Sequence, residues 1–414
     1  MPVPVVDYPE YEEDTLLRND VPLQGFYKDV FMDAGVYLTS RNDLYAAKYL
    51  GYSLECISCS SISDTHWQNV VIAGDEVDYN GRLLYPDGQP RYRMIFVCGG
   101  SSRDHGKSLR PSCRERMRDF VRKGGSYVGC CAGGFFAANG YDGTTDYPYY
   151  LSLWPGVMTH TGLVGTITDL AIDTSSPMLY YYDYGGDGLV SSVRHNKGGY
   201  ASTWPVGTEV LATYSCQEYP DVHGKVAAWA YKNNKASGRV IMEGSHPEEV
   251  GSGERRDFTA AMLRYAADGV GVTRAKGFLH NGEPWIMDKP SADADPLHTK
   301  IGDLQYHHFA VVVPEGAEDI VVSLTSPTDC DLQLSLCSST YAYSDVADYI
   351  TDVPGANQQL ILPDHSAGLW YIAVRCLTTV TSTDVPLGQE YSGRTDVLNG
   401  VPYTISVNWN HSEL

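Results

Sequence analysis

Val128-Gly129-Cys130-Cys131-Ala132-Gly133-Gly134 places a cysteine where an apolar strand ends and a helix begins. Upstream, Gly124-Gly125-Ser126-Tyr127-Val128 reads as a glycine turn feeding a short strand. Downstream, Gly133-Gly134-Phe135-Phe136-Ala137-Ala138 enters a helix, its glycines letting two backbones approach closely. A residue held at such a turn projects its side chain above the sheet, and the helix N-terminus beneath it favours a thiolate. This is the geometry of a nucleophile elbow with Cys131 in place of serine. Taken alone, the same residues equally describe a glycine-rich loop around a buried, inert thiol.

Working outward, residues 25–270 alternate apolar runs with helical ones, the pattern of a parallel α/β sheet. Val30–Thr39, Leu54–Cys59, Arg93–Cys98 and Gly238–Gly244 read as strands, and Arg41–Leu50, Arg114–Arg122 and Arg255–Ala267 as helices. The run Met94-Ile95-Phe96-Val97 is apolar throughout, as a strand covered on both faces should be. Residues 150–235 differ. They are rich in Tyr, Gly, Thr and Val, and Thr208–Tyr214 with Val226–Tyr231 suggest hairpin-like strands. Within this region Leu179-Tyr180-Tyr181-Tyr182-Asp183-Tyr184 reads either as a substrate-facing aromatic wall or as strands packing a core. After the proline-interrupted stretch Asn281–Asp303 the alternation becomes period two. Phe309–Val313, Ile320–Leu324, Leu332–Cys337, Gln359–Leu362, Trp370–Cys376 and Thr404–Trp409 then predict a small all-β sandwich. The expected organisation is an acidic arm over 1–24, an α/β domain over 25–280, a linker over 281–300 and the sandwich over 301–414.

Composition narrows the function. A chain of 414 residues exceeds what one core usually supports. Its formal charge of −21 argues against nucleic acid and anionic membranes as partners. No apolar run is long enough to span a bilayer, and the acidic first fifteen residues lack the basic and apolar regions of a signal peptide. Ten cysteines are too few for a disulfide scaffold and leave the redox compartment open. Cys56-Ile57-Ser58-Cys59 has the spacing of half a zinc site, but no second pair accompanies it. No metal site and no cofactor are expected.

A nucleophilic cysteine needs a base and a group to orient that base. Among twelve histidines, His246 stands out because it follows a buried strand directly, as Cys131 does. In open α/β sheets ligands collect at the carboxyl ends of strands. In His246-Pro247-Glu248 the proline favours an extended backbone, which turns Glu248 to the same side as the imidazole. Asp33, His66, His105, His160 and His195 are further candidates to line the site from neighbouring loops, and each taken alone reads as structural or surface.

Three segments together resemble the class I glutamine amidotransferase-like superfamily. They are Phe96-Val97-Cys98-Gly99-Gly100, Gly124 to Gly134, and Gly244-Ser245-His246-Pro247-Glu248. More narrowly, they resemble the domain found at the N-terminus of some biotin-protein ligases. The resemblance spans roughly residues 27–270 and implies a flavodoxin-like parallel sheet flanked by helices. Carried onto this chain, it implies Cys131 as nucleophile, His246 as general base and then acid, and Glu248 as the orienting carboxylate. The backbone N–H of Ala132 and the Gly99-Gly100 turn would supply the oxyanion donors. Cys130 occupies a position where the family usually carries an apolar residue, and should face the core. Nothing within these 414 residues resembles a biotin-ligase catalytic domain or an ammonia-consuming synthetase domain, so neither activity is expected of them.

The C-terminal strands resemble the bacterial pre-peptidase C-terminal domain, on Gly302-Asp303-Leu304-Gln305-Tyr306, Asp331-Leu332-Gln333-Leu334, Ala367 to Val374 and Tyr403 to Val407. That family's usual location pulls towards secretion, in which case Cys330 would pair with Cys337 or Cys376. Its Asp-rich turns read as solvated rather than as Ca2+ sites. The expectation is a cysteine hydrolase acting on a small-molecule amide or a peptide, the sandwich offering protein or glycan contacts. The alternatives are a non-catalytic binding or assembly module and a glutaminase subunit.

Overall fold

Nine strands of one mixed sheet carry the site, in a computed structural model that describes residues 17–35, 44–58, 65–351, 353–363 and 366–411. In chain order they are β1 (Lys28–Ala34), β2 (Leu54–Ser58), β3 (Tyr92–Val97), β4 (Ser126–Cys130), β5 (Thr166–Ala171), β6 (Leu189–His195), β7 (Thr208–Ser215), β8 (Val226–Tyr231) and β9 (Val240–Glu243). Their order across the sheet is β2-β1-β3-β4-β9-β8-β7-β5-β6. The first five are parallel and the remaining pairings antiparallel. The parallel sheet expected from the sequence is therefore corrected to a mixed one, its antiparallel part including the expected hairpin-like pair of β7 and β8. The cause lies in residues 150–235. They contain no crossover helix long enough to return the chain to the same end, so the strands there meet antiparallel.

The helices are α1 (Tyr45–Tyr49), α2 (Thr65–Ala73), α3 (Ser102–Ser108), α4 (Pro111–Arg122), α5 (Ala132–Ala137) and α6 (Gly253–Ala267). Alternate side chains of the parallel strands feed two cores. Met94, Phe96, Val128 and Ile241 pack on the face of α1 and α6, where Phe258, Met262 and Ala266 are buried. Ile95, Val97, Tyr127 and Met242 pack on the opposite face against Met117 and Phe120 of α4 and Phe135 and Phe136 of α5. Burial on both faces explains the unbroken apolar runs of β3 and β9. Cys130 lies with the first of these cores, fully buried, and its neighbour Cys131 does not.

The C-terminal part is a sandwich of two four-stranded antiparallel sheets. One contains Tyr403–His411 and Ala317–Thr325, the other Tyr306–Val313, Gly368–Cys376 and Leu332–Cys337. Its core holds Phe309, Val322, Leu334, Ile372 and Val407. The stretch expected as a linker folds onto it: Trp285–Met287 pairs with Tyr403–Ile405, and Met287 and Thr299 are fully buried. A hairpin, Val380–Val385 with Gly388–Gly393, was not legible in the sequence and reaches from the sandwich to the edge strand β2. Cys330, Cys337 and Cys376 are free thiols. The N-terminal arm lies outside the described residues up to residue 16; Arg18–Pro22 pairs with Val272–Arg274. No helix among the described residues is long and apolar enough to cross a membrane.

Candidate active site

Cys131 sits between the last residue of β4 and the first of α5, with φ 50° and ψ −105°. A non-glycine residue in this region is strained, and the surroundings hold it there. Its N–H donates to the Glu243 carbonyl at the end of β9 (2.7 Å). Two residues on, the Gly133 N–H donates to the carbonyl of Cys98 (3.1 Å). Glycine is required at this crossing, because a Cβ on Gly133 would stand 2.1 Å from the Val97 carbonyl oxygen. These contacts clamp the elbow to the ends of β3 and β9, the two strands flanking β4.

His246 follows β9, anchored by donation of its N–H to the Arg194 carbonyl (2.9 Å). Its Nδ1 lies 2.9 Å from Glu248 Oε1, and its ring stands beside Cys131, the two sharing the space over Gly99. The extended geometry expected for His-Pro-Glu is not what brings Glu248 there. Residues Pro247–Glu249 form a short 3-10 turn, which curls the carboxylate back onto the ring. Glu249 is 3.9 Å from the same nitrogen and pairs with Arg194 (3.0 Å). Burial opposes charge on His246. The hydrogen bonds to Cys131 and Glu248, and the charge of both, outweigh burial and push the imidazole up to about 11.

Cys131 and His246 are each only 5% exposed. The segment after β6 roofs them: the Cys131 thiol donates to the Asn196 carbonyl (3.8 Å), and Gly198 packs on the Gly244 carbonyl. His195 lies beneath that roof, fully buried. Its imidazole is lowered to about 4, first by burial and then by the charge of His246. From the other side comes Gly99, where an added Cβ would lie 2.2 Å from His246 Cε1 and 3.3 Å from Cys131 Cβ. The Ala132 N–H, in the first turn of α5, has no acceptor within that helix. Gly99 thus leaves the space beside His246 and Cys131 open, and Ala132 follows the cysteine directly.

The other sequence candidates fall into different places. His105 Nε2 and Asp33 Oδ2 form a fully buried pair (2.9 Å), and Gln68 donates to Asp33 Oδ1 (3.1 Å). This pair sits at the carboxyl ends of β1 and β3 rather than on the sulfur. His160 stands on the surface, bonded to Asp142 (2.7 Å) and stacked on Phe135. The side chain of His66 and all of Cys59 lie outside the described residues. The tyrosine run 179–184 does not face the site. Tyr184 packs edge-on to Phe258 of α6, Tyr181 donates to Asp268, and Tyr180 is 88% exposed.

Two participants were missed. Glu243, fully buried, accepts from the Ser245 N–H (2.8 Å), and is raised to about 8 by burial and the charge of Glu248, against the Ser245 hydrogen bonds. A carboxylate closing the apolar run Val240-Ile241-Met242 was the available signal. For the Asn196 carbonyl no side-chain signal exists. Among the described residues no group of three or more His, Cys, Asp or Glu side chains is arranged to hold a metal ion.

The family model of the biotin-protein ligase N-terminal region matches residues 87–146, a stretch containing β3, α3, α4, β4, Cys131 and α5. No curated protein matches the chain. Among solved structures it is similar to a glutamine amidotransferase, at 18% identity over 58% of this chain and 97% of that one, with a TM-score of 0.37. It is also similar to an exo-β-1,4-mannosidase from an Opitutaceae bacterium, strain TAV5, at 10% identity over 59% of this chain and 36% of that one (TM-score 0.31). The pre-peptidase C-terminal domain of a collagenase from Bacillus anthracis is similar at 14% identity, over 32% of this chain and 90% of that one (TM-score 0.19).

Proposed function

We propose that this chain is a cysteine-dependent amide or peptide hydrolase of the glutamine amidotransferase-like superfamily, forming a thioester on Cys131. One observation carries the proposal: a strained strand–helix turn aims Cys131 at His246, and His246 is in turn bonded to Glu248. The family match over residues 87–146 supports it, as does the order of the five parallel strands. Counted among themselves they run 2-1-3-4-5, the flavodoxin-like order, whose ligands bind at the carboxyl ends of strands. The C-terminal sandwich is read as a module like the pre-peptidase C-terminal domain.

The chemistry follows from the geometry. An imidazolium beside the sulfur favours the thiolate. The thiolate attacks the amide carbonyl carbon, and the oxyanion forms towards the N–H groups of Ala132 and the Gly99-Gly100 turn. His246 then gives its proton to the departing amine, leaving a thioester. Water, losing a proton to His246, attacks the thioester; the acid departs and the thiolate is restored beside the imidazolium. Glu248 holds the ring orientation throughout.

A chloroacetamide probe on the intact protein tests this. Cys131 should alkylate faster than the other thiols at neutral pH, and His246→Ala should slow it about a hundredfold. Alkylation no faster than that of an ordinary exposed thiol would overturn the hydrolase reading. It would favour a non-catalytic binding module, for which the roof over Cys131 and the Asn196 carbonyl on its sulfur already speak.

A further inference from the structure

Arg103 lies four residues beyond Gly99, in the first turn of α3, and its guanidinium is exposed. Its guanidinium stands 5.8 Å from the centre of the Tyr141 ring, and that phenol is the group that acts on it most strongly. No carboxylate among the described residues lies in ion-pair range of it. Its acidic neighbours are engaged elsewhere, Asp104 with Ser101 (2.6 Å) and Asp142 with His160 (2.7 Å). In a chain of formal charge −21, an exposed arginine with no carboxylate partner among the described residues is available for an anion.

A chain of ring contacts leads from the turn after Cys131, where Phe135 is buried, out to the solvent-facing rings beside Arg103. Phe135, one turn after Cys131, stacks on His160 with ring centres 4.3 Å apart. His160 meets Tyr141 edge-on (6.1 Å), and Tyr141 meets Tyr147 edge-on (5.2 Å). His160 is exposed, and Tyr141 and Tyr147 are half-buried, so these three form a shelf that presents ring surface to solvent. The support beneath is stiff. Ser102 Oγ lies 2.8 Å from the hydroxyl of the buried Tyr150, whose carbonyl accepts from Arg118 (3.0 Å).

We propose that this shelf is a substrate subsite for peptides in which an aromatic residue is followed or preceded by a carboxylate-bearing one. The ring would lie on Tyr141, Tyr147 and His160, and the carboxylate would pair with Arg103, leaving the scissile carbonyl over Cys131. The inference rests on the hydrolase reading for its catalytic meaning, but binding at the shelf does not require chemistry. A neutral saccharide would also stack on tyrosines. Its hydroxyls could also accept from the guanidinium, but only a carboxylate adds opposite charge and a two-pronged fit, and the peptide is therefore favoured.

Calorimetry on the full-length Cys131→Ser protein tests the subsite without turnover. Acetyl-Phe-Glu-amide should bind about tenfold or more tightly than acetyl-Phe-Gln-amide and acetyl-Ala-Glu-amide. Arg103→Gln should erase the preference for Glu over Gln, and Arg103→Lys should retain part of it, while the preference for Phe over Ala persists in both. Equal affinity for the charged and neutral peptides, a charge preference that survives Arg103→Gln, or tighter binding of a neutral oligosaccharide would each overturn the proposal. The two readings fail separately. Slow alkylation of Cys131 with charge-selective binding removes the hydrolase, and fast alkylation without charge selectivity removes the subsite.

Discussion

Gly99 shows how little space separates the groups of the site. The missing side chain leaves room for His246 and Cys131 at once, and a methyl there would overlap His246 Cε1 at 2.2 Å. We expect Gly99→Ala to push the imidazole off its line between Cys131 and Glu248. Displacements near 1 Å cost about a hundredfold in rate, so alkylation of Cys131 and turnover should both fall by that order while the fold persists. Unchanged rates would remove His246 from the chemistry. Glu243 has a different signature, readable in stability. Folded, it keeps its proton up to about 8; its ordinary value is 4.5. Between these values the folded chain binds more protons than the unfolded one, so its stability falls as pH rises. The contribution is complete below about 4.5 and lost above about 8. Glu243→Gln mimics the protonated acid and can keep both bonds to Ser245. Denaturation midpoints at about pH 5 and about pH 8 should therefore differ less in the variant than in the natural chain.

At the scale of elements, α3 decides where the oxyanion donors stand, because it begins directly after Gly99 and Gly100. Its hold on the sheet is the buried His105–Asp33 bond, closed from behind by Gln68. Gly35 makes room, since a Cβ there would lie 2.6 Å from His105 Cε1. We expect Asp33→Asn to lower kcat more than it raises KM, because the donors are needed most in the transition state. The stability loss should be about 1–3 kcal/mol, the usual cost of a disrupted buried hydrogen bond. A change confined to KM would mean that α3 only binds. The sequence made much of this level legible. β8 matches the expected Val226–Tyr231, and α4 and α6 begin within three residues of their expected starts. These elements announce themselves by local periodicity. What escaped depends on partners distant in the chain. α3 carries polar residues on most positions and Gly106 within it, so no apolar stripe marks it. Asn196 acts through its carbonyl, which every residue has. Arg103 is one arginine among many until Tyr141 is seen beside it.

Across the whole molecule, the sandwich is welded to the α/β part by charge buried on both sides. Arg91 makes a two-pronged bond to Asp303 (3.2 and 2.8 Å), with both side chains about 98–99% buried, and stacks over Tyr27 at 4.0 Å. Asp87 of the α/β part takes Lys276 (2.7 Å) and, from the sandwich, His307 (3.4 Å), and together they outweigh burial to hold its carboxyl far below the usual range. The sandwich hairpin closes the sheet edge: Ser58 of β2 donates to the Leu387 carbonyl (2.9 Å), Cys56 donates to Gln389 (3.0 Å), and Tyr391 donates to the buried Glu55 (2.9 Å). An uncovered β2 would be a parallel edge with free backbone groups, a site for unwanted pairing. The two parts should consequently unfold together. Asp303→Ala leaves the Arg91 guanidinium buried without its carboxylate, a change that typically costs about 3–5 kcal/mol. That is a large share of a domain's usual 5–15 kcal/mol. In calorimetry the natural chain should show one transition. Asp303→Ala should lower the whole transition rather than split off an early sandwich peak, and Cys131 alkylation should lose its selectivity at the same temperature. Two separable transitions, with Cys131 reactivity unaffected by the first, would make the sandwich an independent passenger instead.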